Sequence, residues 1–145
     1  MKILAAVDLA SPAERALEVA GDMAARTDGH IYVLHVAEPD PDFVGYDIGP
    51  DVVRDQVAEE YHREHRQVQA LAEGLRKEGI DATALMIQGA IVETILREAE
   101  RLDVDFIVVT SHGHGAAFDL LIGSISKGVV HKSSRPVLVV PYAQD

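Results

Sequence analysis

The chain has 145 residues, enough for one domain with a sizeable core, and its 48% hydrophobic content, spread along the whole length, excludes a disordered chain. A net charge of −11 opposes nucleic acid and anionic membranes as partners. The absence of cysteine excludes disulfides and thiolate chemistry and leads us to expect a reducing, cytoplasmic setting.

Strand and helix patterns alternate from the first residues. Ile3–Val7 is an apolar run closed by Asp8; it reads as a buried parallel strand and is too short for a secretory leader. Ser11-Pro12-Ala13-Glu14 is a helix start, with Ser11 as N-cap, Pro12 at the first helical position and Glu14 completing a capping box. Ala16, Leu17, Ala20, Met23 and Ala24 then repeat at helical spacing, and Gly29 follows the end. Ile31–Val36 is the second strand. Residues 38–51 form the one long irregular segment, in which Pro39, Pro41 and Pro50 preclude a continuous helix, and a loop of this length suggests a mobile or functional role. A helix from about Asp51 to Glu78 carries Val53, Val57, Tyr61, Val68, Leu71 and Leu75 near one face. The remaining elements are a strand at Ala82–Ile87 ended by Gly89, a helix at Ile91–Leu102, a strand at Phe106–Thr110, a helix at Ser124–Lys132 and a strand at Pro136–Val140. No run approaches the ~18–20 apolar residues of a membrane span.

Five strands alternating with four helices predict an α/β fold: a single open, mostly parallel five-stranded sheet with helices on both faces, Rossmann-like, occupying residues 1–145 as one domain. Ligands of such sheets bind beyond the carboxyl ends of the strands, at the switch in strand order. Asp8, Val36, Gly89 and the loop after Thr110 all fall at carboxyl ends and so share one rim. The segment from Gly113 to Ser124 is rich in glycine between a strand and a helix, and such a loop can turn backbone N–H groups toward a phosphate, with roughly half a positive charge added by the helix N-terminus. Taken alone it is equally an ordinary connection capped by Ser124, and Asp8 taken alone is equally a turn residue.

The order of these pieces resembles the universal stress protein family over nearly all of the chain. Ile3-Leu4-Ala5-Ala6-Val7-Asp8, Leu34-His35-Val36, Gly89, Ser111-His112-Gly113, Gly123-Ser124-Ile125-Ser126 and Pro136–Val140 stand where that family has such residues. Gly113, nine residues and then Gly123-Ser124 match the later part of the motif of its nucleotide-binding branch. Thr110 occupies the position of the motif's first glycine, His114 that of an arginine and Ile91 that of a proline.

The resemblance implies an adenine nucleotide alpha hydrolase-like fold and a stress-response protein that binds ATP, with Mg²⁺ arriving on the nucleotide, and acts as a nucleotide-dependent switch for a protein partner. It implies that Asp8 and the backbone of Val36 contact adenine or ribose, that Gly89 lets a loop pass near the ribose, and that Gly113, His114, Gly123, Ser124 and Ser126 line the phosphates. It also implies a homodimer in which the edge strand Val137–Val140 pairs with its mate. Thr110 and His114 favour the alternative of a dimeric interaction protein without a nucleotide.

A weak ATPase is the third reading, although no Gly-x-Ser-x-Gly elbow, His-Glu-x-x-His pair or Walker A loop occurs, and no general base can be named. His112 and His114 lack a clear third ligand for a metal. The Glu59–Arg66 stretch, with its Glu-x-x-His and His-x-x-His spacings, reads better as a salt-bridged helix surface than as a metal site.

Overall fold

Each of the first four strands leads, in chain order, to a helix. The structure, a computed structural model, is described over residues 1–10, 13–39, 50–111 and 123–141, without the side chains of 50–53. In chain order the elements are β1 (Lys2–Ala6), α1 (Glu14–Thr27), β2 (His30–Ala37), α2 (Pro50–Lys77), β3 (Asp81–Gln88), α3 (Ile91–Arg101), β4 (Phe106–Ser111), α4 (Ser124–Lys132) and β5 (Val137–Pro141). The strands form one sheet in the order β3-β2-β1-β4-β5, and all four pairings are parallel. The neighbours of β1 are thus reached by chain running in opposite directions across the sheet, which puts the switch in strand order between β1 and β4.

Alternation along the strands divides the core in two. Ile3, Ala5 and Val7 of the first strand region, with Ile31 and Val33, face α1 and α2, where Ala16, Leu17, Ala20, Val68, Ala72 and Leu75 close the layer. Leu4, Leu34, Val36, Ile107 and Val109 face the opposite way and pack with Ile95, Ala99 and Val129 of α3 and α4. Both faces of the central strands are covered, which is why they read as unbroken apolar runs rather than as an alternation.

The element ends differ from the sequence reading in ways that matter for the rim. Ala13 already has near-helical angles before α1, and its carbonyl accepts the Leu17 N–H at 3.0 Å; Ser11 and Pro12 lie outside the described residues. Asp28 caps the other end of α1 in the left-handed region (φ 49°), and Gly29 follows it. The need for glycine at 29 is steric, since a Cβ there would meet the Met1 carbonyl oxygen at 2.7 Å. Pro50 opens α2, where its missing N–H costs nothing. The predicted cap of α4 moves back one residue. Gly123 is the N-cap, with extended angles (φ −57°, ψ 159°) and a carbonyl that accepts the Lys127 N–H at 2.9 Å, while Ser124 is the first helical residue. No side-chain hydrogen bond caps this helix.

Candidate functional site

The rim is built at the carboxyl ends of β1, β2 and β4. Asp8 stands two residues beyond β1. Val7, between them, continues the pairing by donating its N–H to the Leu34 carbonyl at 2.9 Å. Asp8 then closes a tight turn, its Oδ1 accepting the Ala10 N–H at 3.0 Å. The carboxylate therefore sits at the head of a turn on the β1 side of the switch point.

The second strand outruns the first. The last residue of β2 paired to β1 is Leu34, opposite Ala6, yet the strand continues through Ala37. The Leu34 carbonyl faces β1, and by the two-residue period of a strand the backbone of Val36 faces the same way. No hydrogen bond to a described residue engages the Val36 N–H or carbonyl on that side. The side chain of Val36 is buried on the α3 side of the sheet, so Val36 offers the rim a paired donor and acceptor of the main chain.

On the β4 side, Gly123 leads into the first turn of α4. The first helical bond is made by the Lys127 N–H, so the amides of Ser124, Ile125 and Ser126 precede the ladder, and no hydrogen bond to a described residue takes them up. No acidic residue stands in this turn. Ser124 is exposed, whereas Ser126 is buried, and its Oγ donates to the Thr110 carbonyl at 2.6 Å. That bond ties the end of β4 to the start of α4 and uses the one proton the hydroxyl has. Thr110 itself is in regular strand, opposite Val140. Gly113 and His114 lie outside the described residues.

Gly89 is set apart from this crevice, at the end of edge strand β3. Its N–H donates to the Ala37 carbonyl at 3.0 Å, and a Cβ there would meet Thr94 Oγ1 at 2.7 Å. Packing against α3 by itself calls for glycine at this position.

Sequence reasoning quoted His35 only as part of a strand end. The structure shows a buried imidazole with Nδ1 3.1 Å from the Val7 carbonyl oxygen and Nε2 3.5 Å from Glu64 Oε2 of α2. The legible signal was a histidine inside an apolar strand, next to a rim residue.

Elsewhere the concave surfaces carry spent charge. A shallow one along the outer side of α2 is lined by Gln56, Glu59, Glu60, His62, Arg63 and Arg66, with Arg63 paired to Glu60 at 3.5 Å. Another lies between α3 and the α4–β5 connection. There Lys132 pairs with Glu93 at 3.3 Å, and Arg135 holds Glu100 at 3.2 Å, Asp103 at 3.0 Å and the Val104 carbonyl at 2.9 Å. The hydrogen bond from Ser134 and then that from Arg135 hold the Glu100 carboxyl below its ordinary pKa of 4.5. Among the described residues no three His, Asp or Glu side chains converge as a metal cluster, and no helix is long and apolar enough to cross a membrane.

Comparison with known proteins agrees with this architecture. The model of the universal stress protein family matches residues 1–141. A universal stress protein of Thermus aquaticus, encoded in the 3′ region of a QAH/OAS sulfhydrylase, is 33% identical over 139 residues, covering 95% of this chain and 96% of that one. The solved structure of protein MJ0577 of Methanocaldococcus jannaschii superposes with a TM-score of 0.79 at 25% identity, covering 99% and 97% of the two chains. The universal stress protein of Archaeoglobus fulgidus in complex with dAMP superposes with a TM-score of 0.66 at 23% identity, covering 96% of each chain.

Proposed function

The chain belongs to the universal stress protein family, and from that premise we propose that it binds an adenine nucleotide, ATP with Mg²⁺, in the crevice between β1 and β4 and acts as a nucleotide-dependent switch. The observation that carries the reading is the pair of backbone sets, one in β2 and one at the start of α4, that no described residue engages. The Val36 N–H and carbonyl suit the hydrogen-bonding edge of a base, and the first-turn amides of α4 suit phosphate oxygens. The dAMP complex of a relative with the same fold supports the ligand class.

In this reading Asp8 accepts from ribose hydroxyls, which a carboxylate does well and a phosphate site would not tolerate. Gly113, His114, Gly123 and Ser124 line the phosphates. Ser126 supports that wall from behind through Thr110. Gly89 shapes the β3–α3 turn beside Ala37. The Mg²⁺ would offset phosphate charge in a chain of net charge −11 that has only 13 Lys and Arg.

Nucleotide binding then alters a surface read by a protein partner in the cytoplasm. A ligand shifts such an equilibrium only by its differential affinity for the two states. A homodimer through β5 fits the same picture. β5 is a sheet edge with Leu138 exposed, and an apolar edge strand calls for cover.

The test is the nucleotide content of the gently purified protein, followed by calorimetric titration with ATP and Mg²⁺. Co-purified or micromolar-affinity nucleotide that is weakened by Ser124→Ala and by Gly123→Val supports the site. Absence of heat at millimolar ATP refutes it and favours the second reading, an interaction protein without nucleotide. Thr110 is the observation behind that second reading, since its side chain stands where the family motif has glycine. A gain of ATP affinity in Thr110→Gly identifies the side chain as the obstruction.

A further inference from the structure

We propose that His35 is the positioning residue of the rim: its ring fixes the Val7 carbonyl, and through it the Asp8 turn. The inference builds on the reading of Asp8 as a ligand contact but concerns a residue which that reading does not use. His35 is 8% exposed, on the face of the sheet that otherwise buries Val7, Val33 and Val68. An imidazole in such a place costs free energy unless its nitrogens are engaged.

Nδ1 is engaged. The Val7 carbonyl 3.1 Å from Nδ1 can only accept, so Nδ1 carries a proton and donates it. Nε2 lies 3.5 Å from Glu64 Oε2, in the middle of α2.

The consequence falls on Val7. Its N–H is held by the Leu34 carbonyl at 2.9 Å and its carbonyl by the His35 ring, so the peptide planes on both sides of Val7 are set by β2. The next residue is Asp8, and its turn onto Ala10 starts from the Val7–Asp8 plane. Without the ring the Val7–Asp8 plane loses its tie to β2. The plane from which the Asp8 turn starts is therefore set by a side chain of the neighbouring strand, one residue before Val36.

Amide side chains separate positioning from mere space-filling. In His35→Asn the side-chain NH₂ falls near the place of Nδ1 and retains the bond to Val7; in His35→Gln it falls near Nε2 and does not. His35→Leu fills the volume and makes neither bond.

The readout in the ligand-free protein is the backbone order parameter at Asp8 and Ala10. It is expected to fall from the rigid range of ~0.85 to below ~0.6 in the Gln and Leu variants and to stay rigid in Asn. In parallel titrations, affinity for ATP is expected to drop about tenfold in Gln and Leu and to recover in Asn, as loss of one orienting hydrogen bond implies. Affinity for inorganic tripolyphosphate should stay the same in all three.

Equal order parameters in Asn and Gln overturn the proposal, as does an unmoved turn in Leu. A wild-type protein that binds no ATP refutes the nucleotide reading alone, and the Asn–Gln contrast at Asp8 still decides the role of His35.

Discussion

Removing the Ser126 hydroxyl tests whether the wall behind the proposed phosphate site is structural. In Ser126→Ala the Thr110 carbonyl loses a 2.6 Å bond from a residue that is 2% exposed. A hydrogen bond contributes about 1 kcal/mol net, and a buried group left short of a partner costs about 1–3 kcal/mol. We expect Ser126→Ala to be destabilised by about 1–3 kcal/mol, or a fall in Tm of about 3–9 °C at ~3 °C per kcal/mol for a chain of this size. Urea denaturation and thermal melts measure this directly. Ser124→Ala is the control: the residue is exposed and caps nothing, so its stability should stay within about 0.5 kcal/mol of wild type. In ATP titrations the order reverses. Ser124→Ala should lose more affinity than Ser126→Ala, because the Ser126 proton already belongs to Thr110. A Ser126→Ala protein that melts with wild type, or that loses more ATP affinity than Ser124→Ala, refutes the assignment of Ser126 as a support.

Two glycines should respond to alanine with opposite signs in the same thermal melt. At Gly29 a Cβ meets the Met1 carbonyl oxygen at 2.7 Å, on the atom that receives the His30 N–H, so Gly29→Ala should cost about 1–3 kcal/mol. At Gly74, inside α2, nothing lies within 4 Å, and Gly74→Ala should gain about 0.5–1 kcal/mol through helix propensity. Glu100 should show an acid-limb effect. Its folded-state pKa is below the ordinary 4.5, so its contribution is present above that value and is lost as pH falls through the folded value. The urea midpoint of Glu100→Gln should therefore lie below wild type near neutral pH, and the gap should close as the pH falls below 4.5 and through the lowered folded-state value; a gap that persists in acid contradicts the linkage. If β5 is the dimer edge, Leu138→Glu should shift the sedimenting species toward monomer, and an unchanged profile excludes that edge.

The fold was legible because its signals are local and repeated. Apolar runs such as Ile3–Val7 and Phe106–Thr110 are short, unbroken and bounded by turn residues, as strands covered on both faces must be. Helix ends were less legible. The serine at 124 was read as a cap from its chemistry, whereas the cap is a backbone conformation, and Gly123 holds it without any side-chain bond. Gly89 is legible as the end of a strand, whereas its approach to Thr94 Oγ1 is a contact between residues five apart that no motif marks. His35 and Ser126 show the deeper reason. Their partners, the Val7 and Thr110 carbonyls, are 28 and 16 residues away, and a carbonyl is present at every position. Side chain-to-backbone bonds at this range leave no trace in residue types; only the buried polar residue itself can be noticed.

Thr110 brings the fold and the site into one argument. A glycine in a phosphate-binding motif is valuable for two separable reasons, freedom of the backbone and absence of a Cβ. The first does not apply at this position. Residue 110 lies within β4, paired to Val140, with Ser111 still paired to Pro141 beyond it, and a β-branched residue suits that conformation better than glycine does. Ser126 of α4 adds a second restraint on the same peptide. The loop that follows therefore starts from a fixed strand end, and threonine costs the backbone nothing. What remains is the volume of the side chain, half-buried at the lip of the crevice. Volume acts on a ligand according to its size, whereas backbone strain would act on the protein whether or not a ligand is present. If a nucleotide occupies the crevice as proposed, the threonine bears on which one fits and how deeply, and not on the fold of the ligand-free strand.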